Sequence, residues 1–579
     1  MGVPESEEEA GAHPACDIDA AIGSAEAGAA PNNSSSSLRQ ESAPISGTSP
    51  GSEPVAHGIA PQNQTLIQVL ALAFALLWSH RVVATGGAVM IARTSLTLSR
   101  PKRFLVALVA GGGLLVAGSS ASAWQVRING TLPNASDTAR AVAVDARGNI
   151  VAAGVTQNSS TGFDFTVVKF NGLSGLELWR QVIDGAGGDG GHSDLDDALA
   201  VAVDGAGDVV AAGFTHNTGT SSDFTVVKFA GGSGLELWRQ VLNGSANSID
   251  EALAVTVDGA GDVIAAGSFV QSLSNLGGFT VVKFAGSSGV ELWRQMIHGT
   301  ANGADFIHAV TVDGAGNVVA VGSTQNTGTF YDLTVVKFAG SSGVELWRQV
   351  INGQAANSSD WASAVTVDAA GDVVAVGVTQ NSPNRNDFTV VKFAGTTGLP
   401  LWGKVISGTG VNSDSEALAA TVDAAGDVVA AGFIQNSTGH DFTVVKLAGG
   451  TGVEIWRQVL NGTANGDDQA RAVAVDRSGN VVAAGFSENT SSSFDFTVIK
   501  FAGTSGVPLW ERVLHGTAAP SGSKFEAALA VAVDPKGDVV AAGSTQNVGT
   551  FFDFTVVKLD GTDGSSFCVR LLCFPRLFP

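Results

Sequence analysis

No cysteine lies between Trp124 and Phe567; the three in the chain are Cys16, Cys568 and Cys573. A fold built from that stretch therefore has no internal disulfide and no thiolate metal site. Charge is also scarce. Only 15% of residues are charged, and 31 Lys and Arg face 53 Asp and Glu. The resulting net charge of −22 argues against nucleic acid or an anionic membrane surface as partner, and it favours solubility. The apolar stretch 66–78 is interrupted by Gln68 and is too short for a comfortable membrane span. Glycine, in contrast, is abundant at 74 residues, and 44% of the chain is apolar. Many glycines and few charges suit short strands joined by tight turns.

The chain divides by composition. Residues 1–89 open with about 60 positions rich in Ala, Gly, Ser, Pro and Glu, which cannot bury enough apolar surface to offset the entropy of ordering. Met90 begins a segment with Arg93, Arg100, Lys102 and Arg103 and no acid; an apolar run from Phe104 to Gly118 and the small residues up to Ala123 follow. That order is a secretory signal peptide over 90–123, cut between Ala123 and Trp124. Met90 is then the expected start and 1–89 an extension outside the natural product. The alternative is a cytoplasmic tail with 104–123 kept as a membrane anchor. Either way, residues 124–564 are expected outside the cytoplasm: secreted, periplasmic or on the cell surface. The tail 565–579 has no counterpart elsewhere in the chain.

Self-similarity governs 124–564. The motif Val-Asp-x-x-Gly-(Asp/Asn) occurs eight times, with its Asp at Asp145, Asp204, Asp258, Asp313, Asp368, Asp423, Asp476 and Asp534. A second motif, close to DFTVVKF, also occurs eight times. A third, close to GLELWRQV, centres on Trp179, Trp238, Trp293, Trp347, Trp402, Trp456 and Trp510, seven copies. The missing copy is at the other end: Trp124-Gln-Val-Arg-Ile-Asn-Gly matches Trp238-Arg-Gln-Val-Leu-Asn-Gly. Each unit reads as four short strands; in the second they are Leu199 to Val203, Asp208 to Ala212, Phe224 to Phe229 and Leu235 to Leu242. The pattern predicts an all-β chain forming a single β-propeller of eight four-stranded blades, closed by the Trp124 strand. An open solenoid and a ring of seven blades plus an irregular one are the competing geometries.

Antiparallel strands place alternate connections at opposite ends of a sheet. The repeated turns VDxxGD and KFAGxxG therefore share one face, and the variable loops and blade crossovers share the other, where a binding site is expected. The repeated Asp reads as a turn cap, the repeated Lys as a strand residue paired with a carboxylate or carbonyl, and the repeated Trp as inter-blade packing. The crossover after Trp179 breaks the symmetry. Its Asp189, Asp194, Asp196 and Asp197, on a glycine-rich loop, offer a weak metal site for Ca²⁺, no other cofactor being expected. Trp361, Tyr331, His216, His298 and His308 are further departures. No Ser/His/Asp set, paired carboxylates or His cluster emerges.

The repeat aVDxxGnvvaaG…dftVvKf…G…lW resembles the bacterial β-propeller repeat family called SBBP repeats, over residues 124–564. That resemblance implies an extracytoplasmic propeller and no established activity. Lys392 to Trp402, KFAGTTGLPLW, also resembles the tryptophan-docking motif of pyrroloquinoline-quinone dehydrogenases, matching at Thr397, Gly398 and Trp402. It implies an eight-bladed ring and a docking role for the Trp; the adjacent Cys pair of those enzymes is absent from 124–567. The favoured reading is a monomeric binding module for a protein or glycan partner, with a quinone- or metal-dependent enzyme or an envelope assembly scaffold as alternatives. N-terminal sequencing of the exported product is expected to begin at Trp124; a product beginning at residue 1 or 2 would contradict the signal-peptide reading.

Overall fold

The computed structural model of the protein describes residues 123–566 except 188–194, 272–276, 302, 411, 438, 491–492 and 519–523. The expected disordered head, both apolar stretches and nearly all of the tail lie outside the described residues, as do Asp189 and Asp194. Every regular element among the described residues is a β-strand.

The strands form eight antiparallel sheets. Seven are built from four consecutive strands: blades 1 to 7 cover 138–183, 197–242, 251–297, 306–351, 361–406, 415–460 and 469–514. Blade 7 carries an extra two-residue strand, Lys524–Phe525, parallel to its third strand. Blade 8 takes three strands from 527–559, and its fourth is Trp124–Ile128, paired antiparallel with Phe552–Leu559 from Trp124↔Lys558 to Ile128↔Phe554. The first strand of every blade touches the first strands of both neighbours, and Ala527–Val533 of blade 8 touches Thr138–Val144 of blade 1. The ring is therefore closed at eight blades; it is neither an open solenoid nor a seven-bladed ring.

Strand limits differ from the sequence reading in one instructive way. The second strand of blade 2 runs Val209–His216, four residues past Ala212. Gly213, just past the end expected from sequence, pairs with Thr225 in a continuous ladder as far as His216↔Ser222. Tertiary pairing overrides the local propensity of glycine here.

The alternation in the third strand has a direct packing consequence. Phe224 and Val226 enter the core between blades 2 and 3, whereas Val227 and Phe229 enter the core between blades 1 and 2. Eight such clusters form, one per interface, each drawn from two adjacent blades. A blade is thus covered on both faces, which is why its strands read as near-continuous apolar runs.

The repeated Asp, Lys and Trp meet at the seams. In blade 3, Asp258 Oδ1 accepts the backbone N–H groups of Ala260 and Asp262, holding the turn, while its Oδ2 takes the Lys283 ammonium at 2.6 Å. Lys283 Nζ also donates to the Gly340 carbonyl of blade 4 at 3.0 Å, and the Trp293 indole donates to that same oxygen at 3.0 Å. Both donors converge on one carbonyl at every interface but one: at the seam of blades 1 and 2, Trp179 uses Gly231 and Lys169 reaches Gly207 at 3.4 Å. The closing strand conforms, since Trp124 and Lys558 both donate to Gly172 of blade 1.

Each docked indole also lies over a glycine with positive φ. At Gly289, φ is +70°, and a Cβ would sit 2.7 Å from Cδ2 of Trp238. Two penalties coincide there, a left-handed backbone and a clash with a fixed ring. Gly289→Ala is expected to destabilise the protein by about 2–4 kcal/mol, whereas Gly259→Ala, with nothing near its Cβ, should be close to neutral; chemical unfolding of the two variants checks the contrast.

Candidate functional site

The turn face is occupied by the repeated machinery just described. Burial acts to raise the carboxyls of Asp145, Asp313 and Asp476, but hydrogen bonds from the partner lysine and from Asn149, Asn317 or Asn480 outweigh it and hold them below the ordinary range. Asp204, Asp258, Asp313, Asp368 and Asp423 all make the same ion pair, with Lys228, Lys283, Lys337, Lys392 and Lys446. Trp179, Trp238, Trp293, Trp347, Trp402, Trp456 and Trp510 each donate to a glycine carbonyl of the next blade. These groups are engaged with one another, so a ligand site must be sought elsewhere.

The crossover face holds a second set of acids, of which the sequence singled out only Asp196. Asp137, Asp196, Asp250, Asp305, Asp360 and Asp468 are buried just ahead of the first strand of a blade, with Glu526 in the same place in blade 8 and Ser415 in blade 6. Asp468 is representative: it accepts the N–H of Gly462 at 2.8 Å and of Glu488 at 2.7 Å, tying one blade's outer strand to the end of the next blade's second strand. Burial pushes Asp137, Asp196 and Asp468 up to about 6 despite these bonds. Burial, aided by the nearby Asp197 and Asp250, pushes Glu251 up to about 7. The signal was present in the sequence as a glycine closing each outer strand and an acid two or so residues before the next apolar run, but the spacing between them varies from Gly462–Asp468 to Gly185–Asp196.

A third feature lines the centre of the ring. Each first strand carries a β-bulge, which re-aims one side chain. The bulged residues are Arg140, His308, Ser363 and Arg471 in blades 1, 4, 5 and 7, and leucines in the others. Arg140, His308 and Ser363 bridge blades. Arg140 Nε donates to Asp197 at 3.1 Å, His308 Nδ1 lies 2.9 Å from the Ala362 carbonyl, and Ser363 and Trp361 both donate to Glu416, at 2.7 and 2.8 Å. Burial lowers the His308 ring below its ordinary range and raises the Glu416 carboxyl. No nucleophile is aligned with a base in this set. Its groups serve as struts between first strands.

Of the four acids expected to bind a metal, Asp196 and Asp197 are described. Asp196 is a buried crossover carboxylate and accepts from Gly185 and His216 backbone N–H groups. Asp197 begins the first strand and faces Arg140. Of the other departures, Trp361 and His308 belong to the central set, Tyr331 packs on Phe330 and Phe306, and His298 lies 3.3 Å from Asp305.

No family model matches the chain, and no curated protein matches it. Solved structures do show a likeness. BamB from Moraxella catarrhalis is 14% identical, with 75% of this chain and 97% of that chain covered and a TM-score of 0.42. The quinohemoprotein alcohol dehydrogenase from Comamonas testosteroni is 12% identical over 77% of each chain, at 0.46. Sqt1 from Chaetomium thermophilum, bound to the N-terminus of ribosomal protein L10, is 11% identical over 73% and 97%, at 0.44. At this level the likeness concerns the fold alone.

The raised crossover carboxyls predict a pH dependence. A carboxyl whose folded pKa exceeds its unfolded value binds more protons when folded, so its contribution is full below the unfolded pKa of 3.8 and is lost as pH rises through about 6. The melting temperature is expected to rise as pH falls from about 7.5 to about 5.5, then to drop below about 4 as Asp145, Asp313 and Asp476 protonate and release their lysines. A thermal melt series across this range checks both slopes.

Proposed function

We propose that the protein is an exported propeller of the bacterial β-propeller repeat type that binds a protein partner through its crossover face, at the sector of blades 7 and 8. One observation carries this reading. Phe525, Val548 and Phe551 are 40, 73 and 50% exposed on that face. The crossover from blade 7 is laid along the blade 8 hairpin: Thr517 N–H donates to Asn547 Oδ1, and Val548 N–H donates to Thr517 Oγ1. The aromatics are anchored from beneath, Phe525 on Phe494 and Phe486 and Phe551 on Phe552. Large, rigid apolar side chains held in solvent are the residues that dominate protein interfaces. They lie on the crossover face, apart from the perimeter leucines of the outer strands such as Leu346.

A photo-cross-linking residue placed at Phe551 or at Leu346 of the full chain, in the organism that makes it, separates the two surfaces. A discrete protein adduct from position 551 and none from position 346 is expected. Adducts from 346 alone would move the site to the perimeter and overturn the assignment.

A further inference from the structure

The third strand of each blade carries an aspartate five residues before its repeated lysine, except in blade 3, where Gly278 stands there. In blade 1 this is Asp164. Its Oδ2 accepts from Asn158 Nδ2 at 2.5 Å and from Thr161 Oγ1 at 2.6 Å. The corresponding blades show what the other oxygen faces. In blade 7, Asp495 Oδ1 lies 2.9 Å from His515 Nδ1, and in blade 8, Asp553 Oδ1 accepts the Asn129 amide at 2.6 Å once that amide is oriented to suit its neighbours. His515 and Asn129 occupy the same place, immediately before the glycine that closes the outer strand. In blade 1 that place is taken by Asp184, the one carboxylate among the eight copies; the others are Asn, His or Ser.

Blade 1 therefore sets acid against acid. Asp164 is 1% exposed, and its Oδ1 is buried with no hydrogen-bond partner. Asp184 and Asp196 each bring an oxygen, and the three oxygens lie within 4.8 Å of one another. Asp223, Asp332 and Asp441 also have an unpartnered Oδ1, but Asn243, Asn352 and Asn461 stand at the facing position, and an amide can turn to donate. A carboxylate has no donor to offer. An unpaired buried carboxylate oxygen beside two more carboxylates is costly unless a proton or a cation is shared among them.

We infer that Asp164, Asp184 and Asp196 form a divalent cation site between blade 1 and its crossover to blade 2, and that the ion is Ca²⁺. An all-oxygen donor set suits a hard cation, and Ca²⁺ accepts a mixture of carboxylates and water in flexible geometry. Asp164 and Asp196 are fixed by local hydrogen bonds, while Asp184 is exposed and leaves one side open to water. The site does not depend on the proposed partner surface, which is built from other blades. It also differs from the set expected from sequence, since Asp197 is turned to Arg140.

The test is calorimetric titration of the full chain with Ca²⁺ after stripping with EDTA. About one Ca²⁺ per chain is expected, with Kd near 10⁻⁴ M, and the ion should raise the melting temperature by mass action. Asp184→Asn should melt at or above the Ca²⁺-free wild type, because an amide there can donate to Asp164 as Asn129 does to Asp553, and bind Ca²⁺ at least about tenfold more weakly; Asp164→Asn should lose binding as well. Asp332→Asn, the same change in blade 4, should bind normally. No uptake by the wild type, or wild-type affinity in Asp184→Asn, would overturn the site, as would loss of binding in Asp189→Asn or Asp194→Asn alone.

Discussion

One glycine carbonyl per seam organises the ring. The oxygen of Gly340 accepts from both Lys283 and Trp293 of the preceding blade, and the pattern recurs around the disc. A buried ammonium is tolerable only when its donors are satisfied, and here the aspartate of its own blade and the carbonyl of the next supply the acceptors. The aspartate in turn holds a tight turn through its other oxygen, so turn, strand and neighbouring blade are fixed by a single chain of contacts. The indole adds apolar area: Trp293 stacks at a tilt on Phe338, with centroids 6.1 Å apart. Leu447 and Leu559 stand in place of that Phe beside Trp402 and Trp510, and both indoles keep their hydrogen bond.

Much of this was legible from residue spacing. Lys283 and Trp293 are ten apart because they pair directly across a hairpin, and the register Lys283↔Trp293 is repeated in each blade. The Trp124 strand was recognisable because it carries the same Trp and Asn-Gly as the copy at Trp238. What was not legible depends on three-dimensional convergence at irregular sequence distance. Asp164, Asp184 and Asp196 come from a third strand, the end of an outer strand and a crossover. Their proximity follows only from the sheet order and from the hydrogen bond of Asp196 N–H to the Phe163 carbonyl. The sequence drew attention to the acid-rich loop, whereas the facing of Asp164 toward Asp184 needed the register.

The two faces of the disc divide their labour. On the turn face the same contacts recur in all seams but that of blades 1 and 2, and the residue four after the repeated Asp varies between Asn and Asp: Asn317 donates to Asp313, whereas Asp262 instead approaches Lys283 at 3.4 Å. On the crossover face the repeats diverge. Ser415 and Glu526 replace the buried Asp, the bulged positions are Leu in four blades and polar in four, and aromatics gather in blades 4, 7 and 8. A duplicated scaffold held by one face leaves the other free to vary, which is the arrangement expected of a binding module.

The central claim is that the N-terminal strand closes the ring through the same lysine–tryptophan–carbonyl node as every other seam. Hydrogen exchange of the peptide spanning residues 124–128 tests it most directly. The account predicts protection comparable to that of the outer strand Glu236–Leu242, with selective loss at 124–128 and 552–559 when Lys558→Met removes the node. Exchange of 124–128 at the rate of an unstructured peptide in the unaltered protein would contradict it.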